Sequence, residues 1–298
     1  MTDVALLTEK RYLNAPSKAD WYIENILLED LFIQKQLKKL NISSKRVAWD
    51  ETPDLGCFRY VLFRTTWNYF EKLKLFLDFL YYWKDRVTFI NSYEQIMWNL
   101  NKGYLIELES VGINIPETII CKKGGAHNLS NICSNRGWSE IIIKPCVSAA
   151  AWQTHRLKGN GIFKSSTLFN ALVSDQDMMI QVFQKKILSA GELSLMIING
   201  EYSHAVLKKA KNGDFRVQDD YGGSVCNYSA SQNEIAFAKK VMESLPFSPI
   251  YARVDILIDN NGCLALSELE LIEPEMWFRM APLAAQKLAR SVKKVFFN

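Results

Sequence analysis

The sequence lacks a strong charge bias, low-complexity segments and any apolar run long enough to cross a bilayer. The formal net charge is only +4, and the basic residues form short scattered pairs, so no stripe for binding nucleic acid is indicated. The first residues contain no basic stretch followed by an apolar core, so no secretory signal is predicted. These absences predict a soluble protein without a nucleic-acid or membrane partner.

Closely spaced cysteines are also missing. The six cysteines are far apart and include no Cys-x-x-Cys pair, and no Cys/His spacing indicates a zinc site. Isolated cysteines are typical of reduced proteins, so a cytoplasmic location is expected. A Gly-x-Ser-x-Gly motif is absent too, so the chain shows no sign of a serine nucleophile.

The apolar residues that are present predict two regions of different architecture. Apolar runs at 4–7, 45–49 and 60–63 indicate strands, and the first two are separated by a helical pattern over 20–40, as in a parallel sheet. Helices are also predicted over 91–108 and near the end, over 284–295. Later segments alternate as antiparallel strands do, with Asn199-Gly200 as a two-residue hairpin turn. We therefore predict an α/β domain at 1–94 and an α+β domain at 95–298.

An aromatic segment at 67–84 allows two interpretations. Its aromatic residues alternate with lysines, which could make a surface for stacking bases. The simpler interpretation, which we favour, is a helix that buries one apolar face. The residues expected on that face are Phe70, Leu73, Leu77 and Leu80.

Residues 251–274 form the most informative segment. Two alternating runs flank residues 259–262, whose Asp-Asn-Asn-Gly sequence strongly predicts a hairpin turn. Uninterrupted antiparallel pairing then places Arg253 and Asp255 on one face with Glu268 and Glu270. The opposite face is apolar, and includes Ile258 and Ala265 near the turn, so the two alternations support one register.

Three carboxylates on one face repel one another unless a cation lies among them. Oxygen ligands of this kind suit Mg²⁺, which often bridges carboxylates and nucleotide phosphates. A solvated polar face is the alternative. If repulsion dominates, removing Asp255 or Glu268 is expected to leave the fold intact and even to stabilise it.

The hairpin resembles the metal-binding hairpin of ATP-grasp ligases, with Glu270 where asparagine is usual. Other segments match that superfamily in the same order along residues 98–280. The motif at 143–145 resembles a phosphate-contacting strand, the motif at 101–102 an earlier nucleotide-contacting lysine, and residues 178–184 the hinge that borders adenine. Residues 215–223 resemble a segment of glutathione synthetase and of the ribosomal S6 modification ligases.

A narrower resemblance extends over nearly the whole chain, to the ATP-grasp group that contains the D-cycloserine-forming O-ureidoserine cyclo-ligase. It includes the motif at 144–151, where Ala150 replaces a glycine usual in the phosphate loop. It also includes residues 64–69, where Asn68 replaces an aspartate. The resemblance implies an ATP-grasp fold preceded by a Rossmann-like pre-ATP-grasp domain, with ATP and Mg²⁺ as cofactors.

The resemblance also implies roles for individual residues. Metal ligands would be Asp255, Glu268 and Glu270, and the catalytic cations would be Arg253 and Arg216. Expected ATP contacts are Lys102, Lys144, Ser148, Gln181, Val182, Phe183, Glu192 and Lys208. Tentative substrate contacts are Arg64, Gln218, Gly222 and Gly223. For Glu192 three roles stay open: accepting a ribose hydroxyl, orienting a lysine or forming a turn.

The function implied is an ATP- and Mg²⁺-dependent ligase that activates a small carboxylate as an acyl phosphate. A nitrogen nucleophile then attacks, and it could belong to the same molecule and close a ring. The expected partner is an amino-acid-like carboxylate, and a homodimer is a possible assembly. An ATP-grasp small-molecule kinase and a non-catalytic nucleotide-binding regulator remain as alternatives.

Overall fold

The N-terminal layer of the protein is a four-stranded parallel sheet. The structure, a computed structural model, describes residues 2–15, 18, 20–217 and 222–297. The elements of this layer are β1 (Thr2–Thr8), α1 (Trp21–Lys39), β2 (Ser44–Ala48), β3 (Phe58–Thr65), α2 (Leu73–Trp83) and β4 (Thr88–Ile90). The strand order is β2-β1-β3-β4 and every pairing is parallel, so the predicted β-α-β opening is confirmed.

Helix α2 confirms that the aromatic segment is largely a core element, but its buried face differs from the predicted one. Its buried residues are Phe76, Phe79, Leu80 and Trp83. Of the four residues predicted to be buried, only Leu80 is. The helix begins at Leu73, later than expected, because residues 67–72 form turns, and Phe70 therefore lies outside it.

The second sheet has four strands that all pair antiparallel, and helices alternate with these strands along the chain. Its elements and the helices around it are α3 (Tyr93–Leu100), α4 (Tyr104–Ser110), β5 (Thr118–Cys121), α5 (Leu129–Asn135), β6 (Glu140–Pro145), β7 (His155–Lys158), α6 (Asn160–Lys164), α7 (Ser166–Asp175) and β8 (Met178–Val182). The strand order is β5-β8-β6-β7. It buries an apolar cluster against helices α5 and α7 that includes Ile141, Phe169 and Ile180.

The single helix predicted over 91–108 is wrong, since the chain breaks between α3 and α4. Asn101 adopts an extended conformation, and its side chain accepts a hydrogen bond from the backbone amide of Gly103 at 2.8 Å. The amide of Lys102 donates instead to the carbonyl of Cys146 at 2.8 Å. Asparagine and glycine have low helix propensity, and this contact with the end of β6 replaces the helical hydrogen bond.

The third sheet has five antiparallel strands. Its elements are α8 (Ile187–Ala190), β9 (Glu192–Ile198), β10 (Glu201–Lys209), β11 (Ser224–Tyr228), α9 (Gln232–Glu243), β12 (Tyr251–Ile258), β13 (Leu264–Glu270) and α10 (Pro282–Phe296). The order is β11-β10-β9-β12-β13. Asn199 and Gly200 both have positive φ, 51° and 78°, which confirms the predicted tight turn between β9 and β10.

The layers share apolar cores, which fixes the third sheet against the N-terminal layer. One core cluster joins Val4 and Leu6 of β1, Met196 of β9 and Leu288 of α10. A second joins α4 and α9 to the hairpin strands β12 and β13. Among the described residues, no helix is long and apolar enough to cross a membrane.

Candidate active site

The hairpin of β12 and β13 forms the floor of the site, and its predicted register is confirmed where the charged residues lie. Arg253 is opposite Glu270, and Asp255 is opposite Glu268. Towards the turn the prediction is wrong, because a bulge shifts the pairing by one residue. Ile258 therefore faces Leu264 instead of Ala265. The bulge adds a residue to β13 and leaves the site end of the hairpin in the register that the alternation requires.

A cavity of about 250 Å³ opens above this floor, between the second and third sheets. Its walls carry most of the residues singled out from the sequence. Those that line it are Lys102, Lys144, Ser148, Gln181, Val182, Phe183, Glu192, Lys208, Arg216, Arg253, Glu268 and Glu270. Asp255 lies at the floor with 1% of its surface exposed. The sequence motifs, which are scattered over more than 150 residues, therefore meet at one place.

Three carboxylates of the floor form a candidate metal centre. Asp255, Glu268 and Glu270 each offer an oxygen, and these oxygens lie within 4.8 Å of one another. Carboxylate oxygens without sulfur or imidazole ligands suit a hard cation such as Mg²⁺. The residues present therefore fit the ion that the family resemblance implies.

Basic side chains neutralise this cluster from within the protein. Lys208 Nζ lies 3.0 Å from an oxygen of Asp255, and Arg253 Nη2 lies 2.8 Å from the same carboxylate. Arg253 also pairs with Glu270, and Lys102 Nζ lies 3.1 Å from Glu268. The repulsion between carboxylates that the hairpin sequence predicts is thus largely offset. The hairpin sequence alone does not include Lys208 and Lys102, which come from other elements.

The pKa values of the carboxylates reflect these partners. Burial opposes the ionisation of Asp255, but Arg253 and Lys208 hold its pKa well below the usual range. Burial likewise opposes the charge of Glu268, and Lys102 and Lys144 lower its pKa. For Glu270 burial dominates and raises the pKa to about 7.

Glu192 orients a lysine, which is one of the roles left open by the sequence. One of its oxygens lies 2.6 Å from Lys208 Nζ, and the other accepts a hydrogen bond from Ser267 Oγ at 2.8 Å. Lys208 is 4% exposed and lies between Glu192 and Asp255. Its position is therefore fixed by two carboxylates.

Lys102 and Lys144 enter the cavity from different elements. The break between α3 and α4 places Lys102 where its Nζ donates to the carbonyl of Ser148 at 2.5 Å. The side chain of Lys144, near the end of β6, forms no hydrogen bond or ion pair with the residues that the structure describes. Burial lowers its pKa below the ordinary value, although Glu268 opposes that effect. A partly buried ammonium whose described surroundings give it no partner is suited to an incoming anion.

We predict that Lys144 contacts a phosphate of ATP. Addition of ATP and Mg²⁺ should raise the melting temperature, because a ligand that binds only the folded state stabilises it. Lys144→Ala should lose most of this increase. Lys293→Ala, which changes an exposed lysine of α10, should retain it. Equal increases in the two variants, measured by thermal unfolding, would show that Lys144 is not a phosphate contact.

The strand expected to border adenine lies along one wall. Gln181 donates from its side chain to Thr118 Oγ1 at 2.9 Å, so strand β5 holds it in place. The amide of Val182 donates to the carbonyl of Glu117, and the amide of Phe183 donates to that of Glu140. The ring of Phe183 is covered by the guanidinium of Arg156, whose carbon lies 3.9 Å from the ring centroid.

The remaining predicted residues are only partly brought together. Arg216 lines the cavity and pairs with Asp214 at 2.7 Å, whereas Gly222 and Gly223 are not among the lining residues. Gln218 lies outside the described residues. Arg64 is 2% exposed and bound to Asp30 at 3.0 Å, behind the cavity wall. Its position does not support the tentative assignment of Arg64 as a substrate contact.

Sequence reasoning missed one end of the cavity. There the N-terminal layer and the segment after β13 contribute Tyr22, Trp67, Tyr69, Glu273, Glu275 and Trp277. Glu273 belongs to the segment 251–274 but was assigned no role from the sequence. Trp67 and Tyr69 lie in the aromatic segment. The only sign in the sequence that they could belong to a site was the motif at 64–69. Helical periodicity could not reveal them, because residues 67–72 are turns.

Comparison with known proteins agrees with this architecture. Residues 105–267, more than half of the chain, match the family described as prokaryotic glutathione synthetase, ATP-grasp domain. Residues 4–91 match the N-terminal domain of D-cycloserine synthetase DcsG. The cycloserine biosynthesis protein DcsG of Streptomyces lavendulae is 22% identical over 267 residues, which cover 86% of this chain and 89% of that protein.

Solved structures show the same fold. The crystal structure of D-cycloserine synthetase DcsG has a TM-score of 0.86 at 21% identity and covers 98% of both chains. D-alanine–D-alanine ligase from Bacillus anthracis, complexed with ATP, has a TM-score of 0.66 at 12% identity and covers 99% of this chain and 97% of that one. The predicted ATP-grasp fold, with its parallel and antiparallel sheets, is thus confirmed. The chain belongs to the prokaryotic glutathione synthetase family of ATP-grasp domains, and it is an ATP-dependent ligase that uses Mg²⁺.

Proposed function

We propose that this ligase activates a small-molecule carboxylate as an acyl phosphate, which a nitrogen nucleophile then attacks. The observation that carries the proposal is the single cavity in which the metal-fitting carboxylates meet Lys102, Lys144, Lys208 and Arg253. Transfer of a phosphoryl group depends mainly on positioning and on neutralising charge, and this arrangement is suited to both.

Each group has a proposed part in the reaction. Asp255, Glu268 and Glu270 would hold Mg²⁺, whose charge offsets that of the nucleotide phosphates. Lys102 and Lys144 bind phosphate oxygens, and the wall at 181–183 borders the adenine. The substrate carboxylate attacks the γ-phosphorus and ADP leaves. Arg253, with Arg216, stabilises the negative charge on the transferring group and on the tetrahedral oxyanion that follows.

The proposed division of the chain agrees with this chemistry. Residues 95–298 would bind ATP between two lobes with a hinge near 178–184, and residues 1–94 would close the substrate end of the cavity. The N-terminal resemblance is to a synthetase of a cyclic amino acid derivative, which favours an amino-acid-like substrate whose own nitrogen closes a ring. The six cysteines are free thiols, in keeping with the proposed cytoplasmic location.

The products distinguish a ligase from a kinase. With ATP, Mg²⁺ and a panel that includes O-ureidoserine and D-alanine, we expect equal amounts of ADP and free phosphate together with a nitrogen-acylated or cyclised product. Hydroxylamine should divert the intermediate to a hydroxamate, because it attacks acyl phosphates readily. The measurement is mass spectrometry of the products alongside assays for ADP and phosphate.

Two results would contradict the proposal. A phosphorylated alcohol that hydroxylamine leaves unchanged would identify a small-molecule kinase. Absence of ADP with every carboxylate tested would favour a nucleotide-binding regulator. Membership of a ligase family argues against both alternatives.

A further inference from the structure

Glu273 differs from the other carboxylates of the cavity. Five glutamates line it, and four of them have a cationic partner: Glu192 with Lys208, Glu268 with Lys102, Glu270 with Arg253, and Glu275 with Arg279. Glu273 forms no ion pair with the part of the chain that the structure describes, although it is 6% exposed. A carboxylate that is buried without a cation costs stability, so its presence calls for a reason.

The backbone around Glu273 is held by side chains from other elements. The carbonyl of Glu273 accepts from Trp67 Nε1 at 3.0 Å, and that of Pro274 accepts from Arg64 Nη1 at 3.3 Å. The carbonyl of Ile272 accepts from Tyr251 Oη at 2.8 Å. Three consecutive carbonyls are thus fixed, so the side chain of Glu273 has a defined place in the cavity. Arg64 and Trp67 thereby gain a positioning role.

Several charged and titratable groups surround the Glu273 carboxyl. Tyr69, from the turns after β3, Glu270 and Glu268 of β13, and Lys102 all lie close enough to influence it. Burial raises the pKa of Glu273 to about 8, the two glutamates add to that increase, and Lys102 and Tyr69 oppose it. Glu273 is buried, lines the cavity and has no cationic partner among the described residues, so it is placed to exchange a proton with a bound substrate.

We propose that Glu273 accepts the proton that the attacking nitrogen loses in the second half of the reaction. The inference rests on the proposed function, which requires such an acceptor but assigns none. The nitrogen lone pair forms the bond to the acyl carbon, and the bond from that carbon to the phosphate oxygen breaks. Phosphate leaves with the bonding electrons, and the proton passes from nitrogen to the carboxylate of Glu273 and later to solvent. Tyr69, which lines the cavity with Glu273 and interacts with it, acts as a positioning residue.

The test separates the two halves of the reaction. In ATP labelled with ¹⁸O at the bridge between the β- and γ-phosphorus, movement of the label to non-bridging positions reports reversible formation of the acyl phosphate. With the panel carboxylate that wild type converts, Glu273→Gln should keep this exchange within about threefold. Its formation of the amide or ring should fall about 100-fold, which is typical for the loss of one general base.

Further variants keep the test decisive. Glu273→Asp should recover part of the lost product formation, and Tyr69→Phe should reduce product about tenfold with exchange retained, so the proposal can be tested even if Glu273→Gln folds poorly. Glu243→Gln, which changes an exposed glutamate of α9, is the matched control and should leave both rates unchanged. Folding is checked by the increase in melting temperature that ATP and Mg²⁺ cause.

Two results would overturn the proposal. If Glu273→Gln formed product at the wild-type rate, another group would accept the proton. If exchange and product fell together, Glu273 would act in substrate binding or folding instead. A wild-type protein that gave neither exchange nor ADP with any carboxylate of the panel would fail at the earlier step, and it would overturn the proposed function and this inference with it.

Discussion

Replacing Asp255 by alanine should abolish Mg²⁺-dependent turnover and also destabilise the protein, by about 3–5 kcal/mol. The side chain of Asp255 is 1% exposed and bound to both Lys208 and Arg253. Its removal would leave two buried cations without their shared counterion, which costs far more than any repulsion it relieves. This is the opposite of what the hairpin sequence suggests by itself. Urea unfolding without metal measures the change.

A graded series makes this prediction specific. Glu268→Ala should destabilise less, because Glu268 is 29% exposed at its side chain and, among the described residues, pairs only with Lys102. Both variants should lose turnover, since both remove a proposed metal ligand. The pKa of Asp255 is lower in the folded protein than in the unfolded chain, so its stabilisation is present at neutral pH and is lost as the pH falls. A stability of Asp255→Ala at or above the wild-type value would contradict the counterion argument.

The second large effect is expected for Arg253→Ala, whose turnover should fall about 100-fold or more while ATP binding is largely kept. Arg253 is 8% exposed, and its guanidinium lies over the ring of Trp277, with 5.3 Å from the guanidinium carbon to the ring centroid. It is thus held beside the proposed metal ligands, where the proposed reaction develops charge. Steady-state assays of ADP release and the ATP-dependent increase in melting temperature give the two quantities.

The same variant should respond more strongly to Mg²⁺ alone. Arg253 pairs with Asp255 and Glu270, so in the wild type it shares these carboxylates with any bound cation. Without the guanidinium, Mg²⁺ added in the absence of ATP should raise the melting temperature more than in wild type. Arg290→Ala, at an exposed position of α10, is the control. An equal loss of ATP binding and turnover in Arg253→Ala would show that Arg253 acts in binding the ground state.

Local pairing explains why the chemistry of the hairpin could be predicted. Arg253, Asp255, Glu268 and Glu270 lie on adjacent strands joined by a short turn, so alternation alone fixes which of them share a face. Lys102 was also predicted as an ATP contact, but within a single helix over 91–108, whereas the chain breaks there between α3 and α4. The position of Lys102 depends on the hydrogen bond from its backbone amide to the carbonyl of Cys146, a residue 44 positions later in the sequence. No periodic pattern within one segment contains that information.

Depth from the surface was the harder property to predict. Arg64 and Glu273 belong to motifs of the same family resemblance, yet Arg64 lies behind the wall and Glu273 lines the cavity. The geometry of the phosphate loop, where Ala150 replaces the usual glycine, was also hard to predict. Ala150 and Ala151 adopt positive φ of 48° and 53°, a conformation that glycine adopts more readily, so the sequence indicated an unusual loop without its geometry.

The bulge in the hairpin makes the length of β13 part of the site. Leu266 and Leu269 are three positions apart, an odd number, yet both pack into the same core cluster. A regular strand would send two such residues to opposite faces. Without the bulge at Ser267, regular alternation would place Leu266 on the face of the carboxylates, so the bulge lets the carboxylates and the leucines beside the turn both face correctly. The site therefore depends on whether β13 contains an odd or an even number of residues between its leucines, as well as on which side chains it carries.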